Sequence, residues 1–267
     1  NISNVEALKF YARFADVVVL ARELNLKQVH EIYQEIVKQQ IKGPKGELIR
    51  IEMFAHGALC MAVSGKCYLS LHEMNASANR GACMQICRRA YTVNQYIMSP
   101  KDLKTIHFMN KMMDAGVRVF KLEGRARGPE YVRLVTECYK EAVKAYCEGT
   151  FDEEKIAVWD ERLRRVFNRG FWDGYYLGQR LGEWSSKYGS GATREMESGS
   201  LRVGDEILVT GPTTGAVMQT VDEIRVDLKP VEETVKGERF SIKMSEKIRP
   251  SDRLYKMEKV QIEKELR

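Results

Sequence analysis

Apolar residues recur every three or four positions from Val5 to Phe14, then run unbroken from Val17 to Ala21. The first pattern predicts an amphipathic helix and the second a buried strand. Leu26 to Gln39 has helical spacing again, with Val29, Ile32, Ile36 and Val37 on one side. Gly43-Pro44-Lys45-Gly46 marks a turn, and Leu48 to Phe54 reads as a strand. Ser99-Pro100 opens a helix expected to run through Asp114, because Ser suits the cap and Pro the first turn. Val117 to Leu122 is a strand, Pro129 to Cys147 a long helix, and Asp152 to Asn168 one more helix. Strands alternating with helices predict parallel βαβ units.

Two stretches break this rhythm. Gly57 to Arg89 is rich in Gly, Ala, Ser, Asn and Cys and has poor periodicity, which predicts a long functional loop with short helical pieces. From Leu201 onward the chain turns to short alternating segments: Glu206 to Val209, Ala216 to Thr220, Phe240 to Lys243 and Arg253 to Tyr255. Gly211-Pro212, Lys236-Gly237 and Arg249-Pro250 separate them, the pattern of a small antiparallel β-barrel. A full (β/α) barrel takes ~250 residues, and this chain supplies about four units before the pattern changes at Gly149. The expected fold class is therefore α/β, followed by a small antiparallel β-barrel domain; if the parent fold is a TIM-type barrel, the α/β part is its C-terminal half. The expected boundaries are 1–148 for the barrel half, 149–199 for a helical and Gly/Tyr-rich connector, 200–260 for the small barrel and 261–267 for a tail. The opening on Asn1, straight into a helical pattern, fits a processed product or a piece of a longer protein.

Composition narrows the class. The chain has 267 residues, 44% hydrophobic and 30% charged, enough apolar matter for a core. Its longest apolar run is far below the ~18 residues of a membrane span. No basic-then-apolar leader is visible, so a cytoplasmic protein without membrane attachment is expected. The formal net charge is +6, and Asn75 to Arg133 alone carries eleven Lys/Arg against four Asp/Glu. Such a patch attracts phosphates and speeds encounter with nucleic acid, although a solvated basic face is the commoner reason for a charge run.

Six cysteines without a secretion signal favour metal or redox chemistry over disulfides. Cys60, Cys67, Cys83 and Cys87 form the densest group. Cys83 and Cys87 are one helical turn apart and on a helix would face the same way. Cys60 and Cys67 follow the Leu48–Phe54 strand, and the carboxyl ends of parallel strands are where α/β sheets bind ligands. Four thiolates from such a loop and helix can close round an iron–sulfur cluster. A structural zinc site, free buried cysteines, and one nucleophilic cysteine with His56 or His72 as base remain open at this stage. Cys138 and Cys147 read as ordinary helix residues.

The residues from Glu52 through Cys60 and Cys67 to Ser70 (EMFAHGALCMAVSGKCYLS) resemble the signature of peptidase family U32, the collagenase-like proteins. Ala78 to Arg88 (ANRGACMQICR), Ser99 to Leu103 (SPKDL) and Phe120 to Arg125 (FKLEGR) are similar to the same family. The Val203 to Asp252 region resembles its C-terminal, translation-factor-like barrel. The resemblance covers nearly the whole chain and is strongest to the branch that hydroxylates uridine in tRNA. It implies a TIM-barrel enzyme, a 4Fe-4S cluster on Cys60, Cys67, Cys83 and Cys87, prephenate as co-substrate, tRNA as partner and a second family member as a further partner. Older usage makes the same family peptidases.

The remaining polar residues carry both a functional and a bland reading. His56 follows the strand into the cysteine loop and would touch substrate or a cluster sulfur, or serve structure alone. Arg80, Arg88 and Arg89 flank the Cys83–Cys87 turn and would bind RNA phosphate or a dicarboxylate, or neutralise a cluster. Glu123 and Arg125 end a strand and so project at the same mouth as catalytic candidates. Arg22 and Glu23, after the first strand, are expected to be an ion pair tying the rim. Tyr91 and Tyr96 would stack on a base or pack. Arg162, Arg164, Arg165 and Arg169 would extend an RNA track or solvate a helix. Three functions follow: an iron–sulfur RNA hydroxylase acting on tRNA, with ribosomal RNA as rival; a peptidase, for which neither a nucleophile motif nor a His pair at i and i+4 is present; and a non-catalytic RNA-binding fragment.

Overall fold

The computed structural model describes residues 1–92, 96–125, 127–179, 182–185, 200–226, 229–234, 238–249 and 251–257. The chain divides into two units, Asn1–Arg127 with Leu134–Ala192, and Gly128–Arg133 with Thr193–Arg267. The boundary expected near Gly199, the Lys236-Gly237 and Pro250 turn residues and the 261–267 tail lie outside the described residues.

The first unit is mixed α/β. Its elements are α1 (Val5–Ala12), β1 (Val17–Val19), α2 (Leu26–Lys38), β2 (Arg50–Gly57), α3 (Leu69–Met74), β3 (Asp102–Lys104), α4 (Met109–Asp114), β4 (Val117–Glu123), α5 (Pro129–Cys147, of which the part from Leu134 belongs to this unit), α6 (Glu153–Arg165) and β5 (Phe171–Trp172). The helices start where the local chemistry directs. The Asn4 side chain caps α1 through Ala7 N at 2.8 Å, and Asn25 with Gln28 forms a reciprocal capping box on α2. Asp152 caps α6 by accepting from Lys155 N at 2.8 Å. Val29, Ile32 and Ile36 on α2, and Ile156, Trp159 and Leu163 on α6, are the buried stripes at helical spacing.

β2 is the central strand. β1 and β4 pair with it in parallel, as the alternating pattern predicts. Its Ile51, Met53 and Ala55 side chains are wholly buried, with Val18 and Val117 beside them in the core. Between α4 and β4 the chain turns at Gly116, where φ is 100° and an added Cβ would lie 2.1 Å from the Tyr33 ring. Only glycine fits both the left-handed backbone and that approach.

Other expectations are corrected. The helix expected from Ser99 to Asp114 is instead β3, a short 3₁₀ turn over Ile106–Phe108, and α4. Leu103, Ile106, Phe108, Met109 and Met112 are all buried, a spread that matches no single helical stripe. β3 runs antiparallel to β2 and parallel to β5, so the sheet is mixed, and the described residues form no closed barrel. β5 is too short to read from its apolar pattern.

In the second unit β6 (Glu206–Gly211), β7 (Gly215–Thr220) and β11 (Arg253–Met257) form one antiparallel sheet. β8 (Ile224–Val226), β9 (Lys229–Val231) and β10 (Phe240–Ile242) form another. Leu201, Ile207, Val221 and Ile224 make its buried core. The style of fold is as expected, but two three-stranded sheets stand where a closed small barrel was anticipated. The sequence pattern missed β8 and β9, each only three residues long.

Candidate functional site

β2 carries the chain to Gly57, whose φ of 102° turns it out of the sheet and into the cysteine loop. That loop holds α3 and two 3₁₀ turns, Ala78–Arg80 and Ile86–Arg88. Cys60, Cys67, Cys83 and Cys87 are free and half-buried. Cys87 lies in the second turn, pinned by the buried Ile86, while Cys83 lies outside regular structure. The expected shared helix is therefore absent; Gln85 intervenes in the left-handed region at φ 53° and breaks it.

The loop nonetheless gathers the four thiols into one electrostatic neighbourhood. Burial pushes the Cys87 thiol up, the Arg88 guanidinium pulls it down, and Cys60, Cys83 and Cys67 each push it up further. Among the described residues no three His, Cys, Asp or Glu side chains are grouped closely enough to hold a metal ion. A compact zinc cage is thus not what the loop presents. In a cubane cluster each thiolate binds a different iron, so its ligands stand wider apart than those sharing one ion. Four half-buried soft donors beside a cation fit such a group in kind.

Arg88 fastens the loop to the sheet. Its Nη2 donates to the Leu59 carbonyl at 2.5 Å, and its Nη1 donates to Ser99 Oγ at 2.9 Å and the Pro100 carbonyl at 2.5 Å. Burial lowers its pKa first, followed by Arg169, while Asp102, Cys87 and Cys60 act the other way. The rim is held by a second clamp. Arg22 donates from Nε and Nη2 to Ser64 Oγ at 3.3 and 3.2 Å, and Glu23 accepts from Ser64 N at 2.8 Å. Arg22 and Glu23 thus grip the segment between Cys60 and Cys67, rather than forming the expected ion pair.

Beside this loop lies a buried charge cluster. Asp102, 1% exposed, meets Arg127 at 3.5 Å and Arg169 at 3.4 Å. Both guanidinium groups also lie over the Phe167 ring, at 4.1 and 5.0 Å. β3 runs antiparallel to β2, so its first residue, Asp102, lies at the carboxyl end of β2. Asp102 belongs to the SPKDL motif; Arg169, expected to extend an RNA track or solvate a helix, is instead buried. No local spacing signal brings Arg127 and Arg169 to one carboxylate. Arg162 pairs with Glu137 and Glu141, and Arg165 with Glu161 along α6.

His56 is buried, 1% exposed. Its ring packs against Tyr139 and Phe171, and Nδ1 is 3.4 Å from Tyr139 Oη. Tyr139 Oη in turn donates to the Ala55 carbonyl at 2.8 Å and accepts from Thr105 N at 3.0 Å. Burial first, then Lys104 and Arg127, push the His56 pKa down to about 3. The ring is therefore neutral at ordinary pH and serves the packing of β2 against α5. Glu123 accepts from Arg125 N at 2.8 Å and shapes the turn after β4, with the Arg125 side chain exposed. Arg80 is exposed; Arg89, also exposed, reaches Glu73 at 4.0 Å. Tyr91 Oη donates to the Ile86 carbonyl at 3.4 Å, bracing the Cys87 turn.

Comparison with known proteins gives a consistent picture. The family described as Peptidase family U32 matches residues 1–186. A collagenase of Porphyromonas gingivalis (strain ATCC BAA-308 / W83) is 66% identical over 291 residues, covering 97% of this chain and 70% of that protein. A second Porphyromonas gingivalis collagenase is 60% identical, covering 97% of this chain and 80% of its own length. The tRNA hydroxylation protein P1 of Bacillus subtilis (strain 168) is 34% identical over 213 residues, covering 70% of this chain and 47% of that protein. No solved structure matches.

Proposed function

Because the chain belongs to peptidase family U32, we propose that it is an iron–sulfur enzyme hydroxylating a uridine of tRNA, with prephenate as co-substrate. The observation that carries this reading is that four free, half-buried cysteines, Cys60, Cys67, Cys83 and Cys87, lie on the one loop that leaves the carboxyl end of β2, with Arg88 fastening it. Cys60, Cys67, Cys83 and Cys87 would hold a 4Fe-4S cluster, which when bound supplies electron transfer. The protein's own residues do the rest. Arg88 fixes the loop and offsets negative charge on the thiolates. Arg80, Arg89 and Arg125 present exposed cations for RNA phosphates, which position an RNA without reading its sequence. Arg127 and Arg169 keep positive charge at the carboxyl end of β2, where an anionic co-substrate would sit. In this reading β1, β2 and β4 belong to a TIM-type barrel, and the second unit is a small translation-factor-like barrel that helps hold tRNA, with a second family member as partner.

The collagenase names of the two Porphyromonas relatives favour a second reading, peptide-bond hydrolysis. A thiol peptidase needs a base within hydrogen-bond reach of its nucleophile. His56 is sealed among Tyr139 and Phe171 and stays neutral, which weighs against it as that base. Iron and sulfide analysis of anaerobically purified protein tests the first reading. Nucleoside mass spectrometry of tRNA and ribosomal RNA from a deletion strain then identifies the substrate. Colourless protein that cuts collagen or gelatin, with hydroxylated nucleosides unchanged in the deletion strain, overturns the first reading in favour of the second.

A further inference from the structure

Asp102 is one carboxylate, 1% exposed, serving two guanidinium groups. Arg127 Nη2 lies 3.5 Å from its Oδ2, and Arg169 Nη1 lies 3.4 Å from its Oδ1. The Arg169 backbone N–H also donates to Oδ2 at 3.3 Å, which fixes Arg169 beside it. The Arg127 and Arg169 side chains are only 8% and 6% exposed. A third cation adjoins them. Arg88 Nη1 donates to Ser99 Oγ and to the carbonyl of Pro100, close along the chain to Asp102. Every hydrogen bond of Arg88 ends on a neutral oxygen, and among the described residues no carboxylate pairs with it.

Positive charge buried without an equal negative charge is costly unless an anion stands near. The cysteine loop can supply that anion as thiolates. Arg88 follows Cys87 directly and holds the carbonyl of Leu59, the residue before Cys60. The charges of Arg169, Asp102, Cys87 and Cys60 all act on Arg88, so the cations and the thiols share one field. Burial also limits what Arg127 and Arg169 can do. Guanidinium groups so enclosed offer RNA phosphate no surface, but their field is little screened in the interior and reaches the sulfurs.

We propose, on the iron–sulfur reading above, that Arg88, Arg127 and Arg169, with Asp102 as counterweight, set the reduction potential of the cluster on Cys60, Cys67, Cys83 and Cys87. The potential of such a cluster follows its net charge, its hydrogen bonds and its solvent exposure. Gaining an electron makes the cluster more negative, so an excess of positive charge beside it favours the reduced form and raises the potential. Arg88 has two tasks: its fork holds the loop, and its charge acts on the sulfurs. Arg127 and Arg169 are positioning residues, acting through the cluster and not on substrate.

The test is the midpoint potential of the full chain, reconstituted anaerobically, titrated with dithionite and followed by the visible absorption of the cluster. Iron and sulfide per chain are measured first. Arg169→Gln and Arg127→Gln each delete a positive charge and should favour the oxidised form about tenfold, a fall of ~59 mV for a one-electron couple. Asp102→Asn deletes the negative charge at nearly constant shape and should raise the potential by a similar amount. Arg88→Lys keeps the charge and loses the fork, so its potential should stay near the parent's while stability falls. Opposite shifts for opposite charges are the signature, because loosened packing or entering water would move every variant the same way. Where Asp102→Asn fails to hold iron, Arg169→Lys gives the same discrimination: it keeps the charge and should stay near the parent. The shifts should persist at about 0.5 M salt, since buried charges are screened little.

Unshifted potentials in iron-bearing variants overturn the proposal and leave the iron–sulfur reading standing. So do shifts of one sign in Asp102→Asn and Arg169→Gln, shifts that vanish in salt, or a fall in Arg169→Lys as large as in Arg169→Gln. A parent that binds neither iron nor sulfide overturns both.

Discussion

Arg88 and Leu59, 29 positions apart in sequence, are joined by a guanidinium-to-carbonyl hydrogen bond of 2.5 Å. Arg88 follows Cys87 and Leu59 precedes Cys60, so this one bond ties together the two ends of the cysteine-bearing segment. Arg88→Gln removes it together with the bonds to Ser99 and Pro100. Hydrogen bonds to charged groups contribute ~1.5–3 kcal/mol each when isolated, and with relaxation the variant should lose roughly 2–4 kcal/mol of stability. Urea unfolding measures the loss, and Arg88→Lys should recover only part of it, since an ammonium cannot match the fork.

Asp102→Asn leaves Arg127 and Arg169 without their shared carboxylate in a buried setting. Removing one partner of a buried ion cluster costs about 3–5 kcal/mol. A midpoint shift in urea smaller than about 1 kcal/mol would mean that solvent or another group already serves those arginines.

His56 gives a pH-dependent signature. Its folded pKa of about 3 lies below the ordinary histidine value near ~6.5. Between those values the unfolded chain binds the proton and the folded chain does not, so stability rises with pH across the window. The contribution is fully present above about pH 6.5 and is lost as pH falls through about 3. Subtracting the pH–stability curve of His56→Phe from that of the parent should show this slope between pH 6.5 and 3; parallel curves would show that His56 titrates normally.

The Ser64 clamp should be visible by hydrogen exchange. Its N–H donates to Glu23 at 2.8 Å, so Glu23→Gln should speed exchange at Ser64 several-fold, and Arg22→Ala should add to the effect. Unchanged exchange in both would mean that the loop is held elsewhere.

The cysteines should divide into two chemical classes. Burial pushes the Cys138 thiol up to about 11, so iodoacetamide at pH 8 should leave it unmodified in the folded protein. Cys138→Ala should retain iron, whereas Cys83→Ala should lose colour and activity together. Retention of both by Cys83→Ala would remove it from the ligand set.

The sequence by itself determined the local elements and the cysteine segment. The stripe of Val29, Ile32 and Ile36 and the apolar run at β1 are short-range signals, and the structure places each where they point. The motif EMFAHGALC likewise marked the strand end and the loop that matter. Tertiary structure decided everything that depends on pairing across distance. The antiparallel entry of β3 puts Asp102 beside the loop, and that placement makes Arg127 and Arg169 its buried partners. It also sealed His56 behind Tyr139 from α5 and set Arg22 and Glu23 on Ser64. The physical reason is that helix and strand periods report only which face of a segment is apolar. Which charged groups meet depends on strand order and direction, and these are settled by the burial free energy of the whole core.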